Sequence, residues 1–224
     1  MKPSTLSLIA SVIIVFLIIF SAVLNNLTTG IFSVIAVLLS MWFSYIYPKI
    51  APSFFIYIAV LLLLFAPILA YLSFLITEPG LTDLPMSWDH RLRMWGYCWN
   101  IISEHPLVGA GFDASRTFND TFFAKDGREL TLLSLHPHNL GIQIWTETGL
   151  VGAVFAAILL FSSIRPLKKI TSNKKSSVAF SGVIVASITI SSLSIGAWQL
   201  WWWSSVFLVL GVTKLVSFSD KQDY

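Results

Sequence analysis

Six stretches of this chain, at about 5–24, 30–47, 53–76, 139–164, 177–195 and 199–217, are apolar over close to the length a helix needs to cross a bilayer. In hydrocarbon every backbone polar group must be satisfied within the segment, and an α-helix does that. The chain is 56% hydrophobic and 11% charged, with a mean hydropathy of +0.79. A soluble domain carries about a quarter of its residues charged. The expected fold is therefore all-α, a polytopic transmembrane bundle of six spans. Residues 1–76 hold the first three spans, 77–138 form a long external loop, 139–217 hold the last three, and 218–224 are a short tail.

Lys2 followed by an apolar run resembles a signal peptide, but no small-residue cleavage site follows, so the run is read as the first span. Pro67 falls inside the third span and should kink it, because proline removes a backbone donor. The last two spans form one apolar stretch too long for a single crossing. Gly196 and Gln199 mark its break, which sets Trp201, Trp202 and Trp203 at headgroup level.

Lys and Arg in the short loops fix the orientation. Lys2, Lys49, the group Arg165, Lys168, Lys169, Lys174 and Lys175, and then Lys214 and Lys221 fall on one side. The loop 77–138 lies on the other, with eight acidic and five basic residues. Both termini are thus expected in the cytoplasm and the long loop outside, periplasmic in a Gram-negative cell. The net charge of +3 is spread over loops and forms no stripe, so no nucleic-acid partner is expected. Cys98 is alone, which excludes an internal disulfide and a CxxC metal site.

All four histidines lie in that loop. Trp88, Leu92, Trp95, Trp99 and Ile102 recur at helical spacing, with Asp89, His90, Arg93, Tyr97, Asn100 and Glu104 on the other face. The expectation is an amphipathic helix lying in the interface plane or against the spans. Arg91 sits about sixty degrees off the stripe and reaches the membrane surface better than Arg93, which points away. Pro106-Leu107-Val108-Gly109-Ala110-Gly111 ends this helix, either as a plain turn or as a turn whose N–H groups bind an anion. Residues 113–135 read as irregular, with a turn at Asp126-Gly127.

The loop closes on His136-Pro137-His138-Asn139. His138 is expected in the first turn of the next span. Gly149 and Gly152 lie near its face and would let another helix approach closely. Glu147 lies on the opposite face, where an ionisable residue is a functional or a structural-partner candidate, and Gln143 one turn earlier can share its network. His136-x-His138 lacks a third ligand with suitable spacing, so no metal is expected.

Two separated patterns together carry a resemblance. Arg91-x-x-x-Trp95 leading to Pro106-Leu107-Val108-Gly109-Ala110-Gly111, and His138-Asn139 followed nine residues later by Gly149-x-x-Gly152, resemble the O-antigen ligase/polymerase superfamily, Wzy-C type. The resemblance spans roughly residues 50–215. It implies an inner-membrane glycosyl transfer from an undecaprenyl-diphosphate-linked glycan to an acceptor hydroxyl, on lipid A–core in ligases or on another glycan in polymerases. No cofactor is implied. By the same pattern His138 is the general base and Arg91 the diphosphate binder, with Arg93, His136 and Asn139 as further substrate-binding candidates. Glu147, Gly149 and Gly152 would support the site.

A neutral imidazole can take the proton of an attacking hydroxyl, and an arginine can neutralise a diphosphate leaving group. Members of the family usually have more spans and functional arginines in an earlier external loop. Residues 25–29 are short and hold no arginine, so the chain reads as a C-terminal half, an inactive truncated form, or the obligate partner of a second subunit. The alternative is a non-enzymatic membrane scaffold or a transporter-like subunit. A transporter should place ionisable groups near the midplane of several helices, where Glu147 stands nearly alone.

Overall fold

The structure, a computed structural model, describes residues 12–13, 15–21, 28–77, 83–124 and 126–219. Most of the first expected span, the linker at 25–27 and the end of the tail lie outside the described residues. Residues 15–21 are helical. The chain then runs through α1 (Thr28–Ile46), α2 (Ala51–Leu64), α3 (Ala66–Thr77), α4 (Met86–Glu104), a 3-10 turn (Ala114–Arg116) and strands β1 (Thr121–Phe123) and β2 (Glu129–Thr131). It ends with α5 (Leu140–Ile170), α6 (Lys174–Leu193) and α7 (Leu200–Ser219). Among the described residues α1, α5 and α6 are long and apolar enough to cross a membrane, and α2 with α3 make a fourth such unit bent by 50°. The apolar part of α7, Leu200–Val216, is shorter.

The bend lies at Phe65, where proline chemistry puts it. In a helix the Pro67 nitrogen has no hydrogen to give the carbonyl of Leu63, four residues back. That carbonyl instead accepts the Trp145 indole N–H of α5 at 2.9 Å. Ala66 also faces Gly141, where an added Cβ would stand 3.1 Å from the Ala66 methyl. The kink thus docks α5 beside the start of α3.

The amphipathic helix α4 lies along α3. Met94, Trp95, Cys98 and Ile102 enter one buried cluster with Ala66 and Ala70 of α3, Leu133 and Ile142. Only the first turns of its expected polar face are covered, while Asn100 and Glu104 towards its end stay exposed. Asp89 is buried, and His90 Nε2 lies 3.0 Å from the Thr131 carbonyl. What covers that face is a hairpin the sequence reading missed. Residues 113–135, expected to be irregular, include β1 and β2 paired antiparallel, with Thr121 opposite Thr131 and Phe123 opposite Glu129. Threonine on both sides of Asp126-Gly127, with Phe122 and Phe123 before it, suits a hairpin.

Elsewhere the bundle is joined by small polar groups. Ser44 of α1 meets Ser177 and Ser181 of α6 at 2.9 and 3.0 Å, and Ser177 donates to the Pro48 carbonyl at 2.7 Å. Hydroxyls of this kind hold helices together where lipid removes the hydrophobic driving force. Of the three consecutive tryptophans, Trp202 donates to Ser191 Oγ at 3.0 Å and Trp203 to the Ala197 carbonyl at 2.7 Å. Trp201 is exposed.

Candidate functional site

The site gathers at the N-terminal end of α5. Asn139, not His138, caps the helix: its Oδ1 accepts the Ile142 N–H at 3.0 Å, and its Nδ2 donates to the Ser192 carbonyl of α6 at 3.1 Å. Asparagine is among the best caps because its short side chain reaches an orphan N–H of the first turn. Both polar ends of Asn139 are spent inside the protein. His138 is therefore not in the first turn, as the sequence suggested. It precedes the cap with φ 54°, a left-handed conformation uncommon outside glycine.

Three contacts hold it there. His138 N–H donates to His136 Nδ1 at 3.2 Å, His138 Nδ1 lies 2.9 Å from the Ser194 carbonyl, and the two imidazoles cross edge to face with centroids 4.5 Å apart. A carbonyl only accepts, so His138 carries its proton on Nδ1, and the Nε2 lone pair is left for another partner. Burial lowers its pKa from 6.5, and the Arg91 and His90 charges lower it further against the opposing Ser194 hydrogen bond. The neutral, proton-accepting form is favoured.

For His136, burial first, then His138 and Arg116, bring the pKa down to about 4. The sign of the linkage follows. An unfolded histidine gains a proton as pH falls below about 6.5, and the folded His136 refuses it until about 4. Its contribution to stability is thus full above pH 6.5 and lost as pH falls through that window. Thermal unfolding in detergent should show a melting temperature declining from pH 6.5 towards 4, with a shallower decline in His136→Gln. Equal slopes would assign the acid sensitivity to other groups.

Arg91 half-buries its guanidinium over the Trp88 ring, 5.3 Å from the centroid, and gives Nη1 to the Ser87 carbonyl at 3.1 Å. Its Nε is buried with no hydrogen-bond partner in the protein. Arg93 is occupied: its Nε donates to Asp89 Oδ2 at 2.9 Å and its guanidinium lies over Phe122. The Arg91 charge lowers the His138 pKa, whereas Arg93 serves an ion pair with buried Asp89 under the hairpin.

Ala110 and Gly111 of the Pro106–Gly111 segment give their N–H groups to backbone carbonyls of α5, and the amides that meet a carboxylate lie just beyond the segment, at Asp113 and Ser115. In α5 the residue Gly149 has φ 60° and ψ −157°, so the helix breaks there. A straight helix would pair Leu150 N–H with the Thr146 carbonyl and Val151 N–H with that of Glu147. Instead Ala110 and Gly111 donate to the Thr146 and Glu147 carbonyls, both at 2.9 Å. Leu150 and Val151 donate to the Pro106 and Leu107 carbonyls at 2.9 and 3.1 Å. Two intrahelical bonds are replaced by four bonds to the loop.

The glycines make this exchange sterically possible. A Cβ on Gly109 would lie 2.3 Å from the Glu147 carbonyl carbon, and one on Gly149 would lie 2.5 Å from that of Leu107. The close approach that the sequence assigned to a neighbouring helix belongs to this loop. Gly152 faces its own helix's Thr148. The Glu147 side chain, fully buried, accepts Asp113 N–H at 2.8 Å, Ser115 N–H at 3.4 Å, Gln143 Nε2–H at 2.9 Å and the Trp198 indole N–H. Glu147 is the tie between loop, helix and the α6–α7 linker.

Sequence reasoning missed that linker. Ser194 and Gln199 reach the two histidines, Ala197 N–H donates to Gln143 Oε1 at 2.7 Å, and the Trp198 ring packs on Phe112 at 4.2 Å. The available signal was the Gly-Ala-Trp-Gln interruption of an apolar stretch, which marked only a break. Among the described residues no group of three His, Cys, Asp or Glu side chains is placed to hold a metal ion.

The sequence pattern of the family described as O-Antigen ligase, Wzy_C, matches residues 13–157, which include Arg91, Glu147, and the His138-Asn139 pair. The chain belongs to this O-antigen ligase family. It is 32% identical over 130 residues to a Rickettsia felis protein described as "Putative polysaccharide ligase", covering 57% of this chain and 32% of that one. A Rickettsia bellii protein with the same description is 30% identical over 144 residues, 63% of this chain and 35% of its own length. A Rickettsia conorii counterpart is 29% identical over 130 residues, covering 57% and 31% respectively. The chain thus aligns with about a third of the length of these curated relatives. No solved structure matches it. The O-antigen ligase pattern ends at residue 157, so the linker that holds both histidines lies beyond it.

Proposed function

We propose that this chain carries the proton-accepting and diphosphate-binding part of a glycosyl transfer from a polyprenyl-diphosphate-linked glycan to an acceptor hydroxyl, of the O-antigen ligase or polymerase type. The observation that supports it best is the unspent hydrogen-bonding capacity of His138 and Arg91. One is a neutral imidazole with Nε2 free and Nδ1 committed to Ser194, and the other a half-buried guanidinium with an unpartnered Nε. In the reaction the acceptor oxygen bonds to the anomeric carbon while the bond from that carbon to the diphosphate oxygen breaks. His138 Nε2 takes the hydroxyl proton, and the diphosphate leaves with the bonding electron pair beside Arg91. Asn139, Gln143 and Glu147 have structural duties that hold the frame, and Arg93 belongs with Asp89. A polysaccharide acceptor, lipid A–core or a further glycan, fits the family; the remaining parts of the site would come from segments corresponding to the rest of the relatives' length.

A transporter-like reading gains little, because Glu147, the ionisable group deepest in a spanning segment, is held by four donors. In membranes carrying the complete transfer system, Arg91→Ala should lower kcat/KM roughly 10²-fold, the scale for losing one charge-stabilising donor. Arg91→Lys should recover only part, since a point charge lacks the planar fork. Unchanged kcat/KM in Arg91→Ala would overturn the diphosphate role.

The membrane arrangement belongs to the same proposal: six spans in the inner membrane, both termini cytoplasmic, and 77–138 periplasmic. The lysine distribution supports it, as does the length of α5. Its unbroken part after Gly149, residues 150–170, extends about 31 Å, close to a hydrocarbon core of about 30 Å. With Arg165, Lys168 and Lys169 kept at the cytoplasmic surface, the turns before Gly149 reach the opposite headgroups. Reporter fusions at Asp120 and Asn173 should report opposite compartments, and the same compartment for both would overturn the topology.

A further inference from the structure

The linker between α6 and α7 meets both histidines, and its last residue, Gln199, has no role in the reading above. Its amide stands 3.1 Å from His136 Nε2. On the other side of that ring, Nδ1 accepts the His138 N–H at 3.2 Å, so Nδ1 bears the lone pair. A neutral imidazole with a free Nδ1 carries its proton on Nε2, and Nε2 must then find an acceptor. The oxygen and nitrogen of an amide are distinguished by their hydrogen bonds, and here the network requires Gln199 Oε1 to face the ring. The same orientation gives Oε1 a partner and turns the amide NH2 to the buried position that Oε1 held. Space for the ring is secured across the linker: a Cβ on Gly196 would lie 2.8 Å from His136 Cγ and Cδ2.

We propose that Gln199 is a positioning residue for His138, acting through His136: Gln199 Oε1 accepts the His136 Nε2–H, which aims the His136 Nδ1 lone pair at the His138 backbone N–H. That bond holds His138 in its left-handed conformation, and Ser194 of the same linker holds the imidazole by Nδ1. The catalytic value of this relay rests on the reading of His138 as general base, whereas its hydrogen-bond order does not. The residues involved span the matched region and the part beyond residue 157, so the linker is as much a part of the site as the His-Asn pair.

The test compares Gln199→Met, which keeps the length and loses the acceptor, with Gln199→Glu, which keeps the acceptor. In the full chain, labelled with 15N-histidine and held in detergent, wild-type His136 should give the signature of a single Nε2–H tautomer. Gln199→Met should give both tautomers, and Gln199→Glu should restore one. In the complete transfer system Gln199→Met should lower kcat roughly tenfold to a hundredfold with donor KM unchanged, as expected for a misplaced catalytic group. Gln199→Glu should recover most of it. A single Nε2–H tautomer persisting in Gln199→Met, or Gln199→Glu as impaired as Gln199→Met, overturns the relay. If His138→Ala abolishes transfer while Gln199→Met transfers normally, the relay alone fails. If His138→Ala transfers normally, the base reading fails, and the tautomer result still decides the hydrogen-bond order.

Discussion

Replacing His138 by alanine should cost glycan transfer about 10²–10⁴ in rate, the usual worth of a positioned general base, while the protein still inserts and folds. The side chain makes one hydrogen bond to the protein, Nδ1–H to Ser194, and leaves Nε2 for the substrate. The helix cap belongs to its neighbour Asn139, so α5 keeps its start. In a cell lacking its own ligase or polymerase, a complete system with His138→Ala should put little polymer on the surface, scored on a polysaccharide gel beside a blot for the membrane protein. Undiminished polymer with Arg91→Ala equally harmless would end the catalytic assignment. His136→Ala should be milder, because its imidazole orients His138 and does not meet the acceptor.

Gly149→Ala should drive the 106–111 loop off α5 and strongly destabilise the fold. The backbone at Gly149 lies in a φ/ψ region open essentially to glycine alone, and a non-glycine residue there costs on the order of 1–3 kcal/mol before any contact is counted. The added methyl would also stand 2.5–2.6 Å from backbone atoms of Leu107 and Val108, which have no rotamer to yield. The loop must withdraw, taking its four backbone bonds and two of the four donors on Glu147. A buried carboxylate left short of partners is among the few causes of very large destabilisation. Limited proteolysis should cut the mutant between residues 105 and 116 while leaving the wild type intact, and its melting temperature should collapse. A mutant with wild-type proteolytic resistance would show that the loop does not hold α5 open.

Much of this was legible in the sequence, for identifiable reasons. Apolar length gave the helices, the tryptophan period gave α4, and Pro67 gave the bend, because each is a local property. The Gln143–Glu147 bond followed from a one-turn spacing on one helix. Long-range features were hidden. Nothing local in Gly149-x-x-Gly152 says whether a helix or a loop will approach it, and the residue that answers, Leu107, is more than forty positions away. The cap could have been read, since asparagine before an apolar run is a start signal, yet proline at 137 made His138 look like the first helical residue. The linker stayed hidden because Ser194 acts through its carbonyl, which every residue possesses.

The exchange at Gly149 has an uneven thermodynamic consequence. Suppose the 106–111 segment lifts away. Leu150 and Val151 can then turn back to the Thr146 and Glu147 carbonyls, and α5 recovers two ordinary helical bonds. The segment recovers none from the helix. Opening therefore forfeits a net of two backbone bonds, each worth about 0.5–1.5 kcal/mol, not four. The helix loses nothing by straightening, so the resistance to opening resides in those two bonds and in what the loop alone holds: the amides of Asp113 and Ser115 on the Glu147 carboxylate, and Phe112 against Trp198. One buried carboxylate thereby sets the balance between two complete hydrogen-bonding schemes for the same span.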